Sequence, residues 1–135
     1  MQSYSAPLND MKFIIEDFLN SGAADTLFKQ NDIEIEDFNF ILDESSKFCE
    51  EILLPLNQSG DKEGCTYENG KVKTPKGFKD AYKQFVESGW QGAALDQKYG
   101  GQGLPYIFNV FFEYASYIFI MSIRICFIAT TMGFK

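Results

Sequence analysis

The chain has 135 residues, 45% hydrophobic and 23% charged, which suits one domain with a buried core and argues against wholesale disorder. A formal net charge of -7 and a pI near 4.5 argue against a nucleic-acid surface, and the lack of any histidine removes Ser-His-Asp and Cys-His catalysis and the usual zinc sites. Cys49, Cys65 and Cys126 form no C-x-x-C pair and fit reduced thiols in the cytoplasm better than a secreted disulfide framework.

Residues 1–10 hold no basic start followed by an apolar run, so no signal peptide is expected there. The first helix is predicted from Asn9 or Asp10, which suit an N-cap. Met11, Ile14, Ile15, Phe18 and Leu19 share one face of it, and Ser21-Gly22 supplies the stop. Residues 23–30 read as a short helical turn. In the second helix Phe38, Ile41, Leu42, Ser45, Phe48, Cys49, Ile52 and Leu56 recur at three- and four-residue steps. Glu34, Glu36 and Asp37 crowd its start, Asn31 with Glu34 has capping-box spacing, and Pro55 marks its end.

Residues 57–74 are polar and rich in turn formers. Within them Asn69-Gly70 lies between two short extended runs, which predicts a small hairpin. Thr74-Pro75 is expected to open a third helix with Phe78, Tyr82, Phe85 and Val86 on its apolar face and Gly89 as its stop. Pro105 is expected to open a fourth. Residues 106–134 carry only two charges, Glu113 and Arg124, as in a helix buried on all sides or one that meets a membrane.

Four features invite a chemical reading. The loop Tyr99-Gly100-Gly101-Gln102-Gly103 is glycine-rich but is neither a P-loop nor preceded by a strand, so a tight inter-helix turn is favoured over a phosphate cradle. Glu34, Glu36, Asp37, Asp43 and Glu44 read as a solvated helix face, since no Asp-x-Asp-x-Asp-Gly calcium loop is present, and no metal site is expected. Trp90, just after a helix stop, reads as a core anchor. Cys65 reads as a plain thiol, with only Lys62 near it in sequence.

The order of elements adds a resemblance. Gly77-Phe78-Lys79-Asp80-Ala81-Tyr82, then Gly89-Trp90, then residues 99–105 (Tyr-Gly-Gly-Gln-Gly-Leu-Pro) together resemble the N-terminal domain of acyl-CoA dehydrogenases. The similarity is greatest to the branch with a longer N-terminal arm, which includes the methylmercaptopropionyl-CoA dehydrogenases. Residues 4–13 look like that arm, and Leu54-Pro55-Leu56-Asn57 and Gly70-Lys71-Val72-Lys73-Thr74-Pro75 match its rhythm.

The resemblance covers residues 4–113 and implies an all-α chain, the N-terminal helical domain of the acyl-CoA dehydrogenase fold, with a small β-hairpin insertion. The expected divisions are residues 1–30 (arm and first helix), 31–113 (helical domain) and 114–135. The last of these lacks the relatives' small-residue-rich helix and Pro-Gly turn and reads as a diverged or frame-shifted apolar helix.

The resemblance also implies a parent enzyme that oxidises an acyl-CoA thioester to an enoyl-CoA. In that parent FAD is held largely by a middle β-domain, a glutamate base lies in a C-terminal bundle, and electrons pass to an electron-transfer flavoprotein. The parent is expected to be a cytoplasmic homo-oligomer. This chain is then an inactive fragment with no catalytic residue and no FAD of its own; Tyr99, Gly100, Gly101 and Gly103 are its expected substrate-pocket scaffold. The alternatives are a helical module anchored in a membrane through residues 114–134, although Arg124 near the middle costs about 2.5–3.5 kcal/mol, or a non-catalytic partner-binding module.

Overall fold

The computed structural model describes residues 5–18, 26, 28–29 and 32–116. It is mostly helical with a single two-stranded sheet among those residues, as expected. Helix α1 spans Leu8–Phe13 and runs into a π-helical turn at Ile14–Phe18. It starts earlier than the sequence suggests: Pro7 is the cap, its carbonyl accepts the Met11 N–H at 3.1 Å, and Asn9 and Asp10 fall in the first turn. Met11 and Ile15 are buried, whereas Ile14 and Phe18 of the expected apolar face are exposed. Leu19, the Ser21-Gly22 stop and the Asn31 cap lie outside the described residues, as does most of the segment 23–30.

Helix α2 spans Ile35–Lys47, with Glu34 at its N-cap and Glu36 and Asp37 in its first turn. It passes through a π-helical turn at Phe48–Leu53 into α3 at Leu54–Glu63. Phe48 and Leu54 both keep right-handed helical backbone (φ -56, ψ -44), so one rod runs from residue 35 to 63. This corrects the expected stop at Pro55 and the loop after it. The Leu54 N–H reaches back five residues to the Cys49 carbonyl, and Pro55 enters at the first positions of α3, where a missing N–H is tolerated. Packing then holds residues 57–63 helical despite their turn-forming composition. Gly60 lies so close to the Phe78 ring that a Cβ there would stand 2.5 Å from it.

Strand β1 (Thr66–Glu68) pairs antiparallel with β2 (Lys71–Lys73), Tyr67 opposite Val72. Asn69 and Gly70 both take positive φ (51° and 76°), the geometry of a two-residue turn whose twist matches the strands it joins. Every residue of both strands is exposed. Helix α4 spans Phe78–Glu87 and starts three residues beyond Pro75, because Gly77 rather than the proline occupies its cap. Ala81 and Phe85 form its buried side; Tyr82 and Val86 face solvent more than expected. Helix α5 spans Ile107–Ser116, with the Phe108 N–H on the Pro105 carbonyl at 2.9 Å.

Aromatic rings hold these helices together. Phe28 meets Phe38 edge-on at 5.1 Å, Phe38 meets Phe108 at 6.2 Å, and Phe108 stacks on Phe112 at 6.0 Å. Phe112 in turn stacks on Phe85 at 6.2 Å, which ties α4 to α5. Such pairs add about 0.5–1.5 kcal/mol each beyond their area burial. The N-terminal arm is tied to the rod by Glu50, whose carboxylate accepts the Ala6 N–H at 2.8 Å and the Ser46 hydroxyl at 3.3 Å. Among the described residues no helix is long and apolar enough to cross a membrane; the apolar stretch expected over 114–134 lies, beyond Ser116, outside them.

Candidate functional site

The glycine-rich loop is built from the end of α4 onward. Gly89 takes φ 74° and turns the chain into a short 3-10 turn at Trp90–Gly92. Trp90 drops into the core at 9% exposure, stacked on Phe108 at 6.0 Å and Phe112 at 5.9 Å, with Phe48 at 6.5 Å. It is the core anchor its position suggests. Its indole Nε1 and the Asn109 Oδ1 are buried with no hydrogen-bond partner among the described residues.

Asp96 then caps a second 3-10 turn, Gln97–Tyr99, its carboxylate accepting the Lys98 N–H at 2.9 Å and pairing with the Lys98 ammonium at 3.0 Å. These two bonds, the backbone one first, hold its carboxyl below the ordinary carboxylate value.

From Tyr99 to Leu104 every amide points inward. Tyr99 and Gly101 donate to the Asp96 carbonyl, Gly100 to Gln97, Gln102 to Gly92, Gly103 to Leu95 and Leu104 to Ala93, at 2.9–3.2 Å. A phosphate cradle needs such N–H groups free. This loop has spent them on its own chain, so it is the tight turn favoured by the sequence. Gly101 is fixed by space: a Cβ on it would overlap the Leu95 carbonyl. Gly100 and Gly103 sit at φ 83° and 74°. The Gln102 side chain closes the loop back onto the Gly89 carbonyl at 3.2 Å.

The four expected scaffold residues thus share one turn but play two parts. The glycines make the turn and deliver Leu104 and Pro105 into the core, which sets where α5 begins. Tyr99 stands out in solvent at 78% exposure, with the Lys98 ammonium 4.8 Å from its ring centroid.

The acidic residues do not converge. Asp43 pairs with Lys12 at 2.7 Å and Glu44 with Lys47 at 2.5 Å, and no group of three potential ligands is gathered for a metal among the described residues. The bond to Glu44 raises the Lys47 ammonium above its ordinary value. Cys49 is buried, and burial pushes its thiol up to about 12, whereas Cys65 is exposed. Cys126 lies outside the described residues.

The sequence reading did not single out an apolar groove of about 300 Å³ between α1 and α5, walled by Pro7, Met11, Ile14, Val110, Phe111 and Tyr114 with Asp10 at its side. Its signal was present as Val110 and Tyr114 four apart and Met11 and Ile14 three apart; that the two helices face each other was not.

No family model matches the chain. The chain is 41% identical over 103 residues to the 3-methylmercaptopropionyl-CoA dehydrogenase of Ruegeria pomeroyi. The chain is related to the acyl-CoA dehydrogenases. The match covers 76% of this chain and 18% of that dehydrogenase, so the chain spans less than a fifth of its relative's length. The acyl-CoA dehydrogenase relationship agrees with the helical architecture and the hairpin within it.

Proposed function

We propose that this chain is the N-terminal helical part of an FAD-dependent acyl-CoA dehydrogenase, and that on its own it performs no chemistry. The observation that carries the reading is the 41% identity across three quarters of the chain. The relative's name makes 3-methylmercaptopropionyl-CoA, or a short acyl-CoA like it, the substrate to try first. The product would be the matching enoyl-CoA, with electrons passed to an electron-transfer flavoprotein and the whole enzyme a cytoplasmic homo-oligomer. The free thiols of Cys49 and Cys65 suit such a reducing compartment.

FAD would supply the redox chemistry of the parent. The glycine-rich loop at residues 99–104 does not offer it a phosphate cradle, because its amides are turned inward. No residue here is assigned to the flavin, and no step is derived through it. What this chain contributes is position. Gly100, Gly101 and Gly103 set the start of α5, and we place Tyr99 and this turn at the border of the acyl pocket as its scaffold.

The test is to read the gene past codon 135 and express the entire frame. The expected product carries flavin absorbance that bleaches when the acyl-CoA is added. A frame that yields no flavoprotein sinks the enzyme reading. Within an active product, Gly101→Ala should lower kcat/KM or folding yield; if both are unchanged, the scaffold role is wrong.

A further inference from the structure

Charge is divided along this chain. Residues 62–83 hold six of its twelve cationic side chains, Lys62, Lys71, Lys73, Lys76, Lys79 and Lys83, against Glu63, Glu68 and Asp80. Residues 32–51 reverse the balance, with eight carboxylates against Lys47 alone. Of the second stretch, Glu34, Glu36 and Asp37 lie at the start of the 35–63 rod and the others run to its middle, while the lysine-rich stretch follows from its far end; at 1.5 Å per residue the rod is about 43 Å long.

Both ends are open. Lys71, Lys73, Lys76 and Lys79 are exposed and have no carboxylate partner among the described residues; Glu34, Glu36 and Asp37 are likewise exposed and unpaired. Each end also presents bare apolar surface. On the hairpin Tyr67 and Val72, directly opposite each other, are 73% and 63% exposed. On α2 Phe40, one turn from Glu36 and Asp37, is 65% exposed. A two-stranded hairpin open on both faces is only marginally stable by itself. Its lysines protect the edge from indiscriminate strand pairing while leaving the apolar pair to be covered.

We infer that the basic hairpin end of one copy docks on the acidic start of α2 in a second copy. The two rods run antiparallel about a two-fold axis, so the contact is made twice and every lysine-rich end meets a carboxylate-rich one. Tyr67 and Val72 cover Phe40 of the partner subunit, and the helix dipoles oppose one another. The inference uses a surface apart from the glycine-rich turn and does not depend on the enzyme reading.

The test is the solution mass of the full chain by sedimentation at about 0.01 M and about 1 M salt, between which exposed charges become screened. The expected result is twice 15.4 kDa at low salt and 15.4 kDa at high salt. Two charge-reversed variants sharpen it: Lys71→Glu with Lys73→Glu, and Glu36→Lys with Asp37→Lys. All four positions are exposed, and circular dichroism checks that each variant folds. Each variant alone should be monomeric at low salt, and an equimolar mixture should return to twice the mass, since both contacts are then complementary again. A monomer at every salt concentration overturns the inference, as does a salt-insensitive dimer or a mixture that stays monomeric.

Discussion

The turn at residues 96–104 and the hairpin turn at residues 69–70 both depend on glycine, and they are held in opposite ways. The turn at residues 96–104 is knitted into the core: its amides bond inward and Trp90 behind it stacks on Phe108 and Phe112. The hairpin turn at Asn69-Gly70 is held only by its own strands, and no residue of either strand is buried. Backbone conformation fixes both turns, but only the first is also fixed by neighbours. Substitutions in the first should therefore register in global stability, and those in the second should stay local.

The largest effect is expected at Trp90. Trp90→Ala removes the ring that Phe48, Phe108 and Phe112 surround, and unfolding in urea should show a loss of about 3–5 kcal/mol. A loss under about 1 kcal/mol would mean that the core does not centre on this ring.

Gly101→Ala comes next. The added methyl must displace a backbone carbonyl, which costs about 1–3 kcal/mol, visible in the same titration. An unchanged midpoint would show that the turn has room to relax.

Gly70→Ala meets open space but keeps a φ of 76°. The strain of about 1–2 kcal/mol should appear as faster amide exchange in residues 66–73, with little change in the global midpoint. A global shift equal to that of Gly101→Ala would erase the distinction between the turns.

At neutral pH the smallest effect concerns the thiols. At neutral pH an alkylating reagent should modify Cys65 and leave Cys49 intact, as peptide mass mapping would reveal; equal labelling would contradict the burial of Cys49. Because its thiol is raised in the folded state from 9.0 to about 12, the stability it contributes is complete below pH 9 and is lost as pH rises through about 12. Cys49→Ala should flatten that alkaline decline.

What could be read from the sequence follows the range of the forces involved. The hairpin was legible because Asn69-Gly70 selects its turn through local sterics. The buried face of α2, Phe38, Leu42 and Ser45, was legible because burial follows helical spacing. The helix through Pro55 was not. Asn57, Gln58, Ser59 and Gly60 have the local preferences of a loop, and it takes Phe78, distant in sequence, packed on Gly60 to override them. At the candidate site the turn at residues 99–103 was legible because its residues are adjacent in the chain. That Tyr99 turns outward while the amides around it turn inward is a tertiary fact. The groove between α1 and α5 is another, since its walls come from elements nearly a hundred residues apart.

The π-helical turn at Phe48–Leu53 has a consequence for the azimuth of everything beyond it. Each residue of an α-helix advances the chain by about 100° around the axis. One residue removed from this turn would restore ordinary winding and swing α3, and with it the hairpin, to a different side of the rod. The bearing of the hairpin relative to the carboxylates near residue 36 would then change. The turn thus sets the angular phase between the two ends of the rod, and a single-residue deletion there would change how the surface is wired while leaving its composition nearly intact.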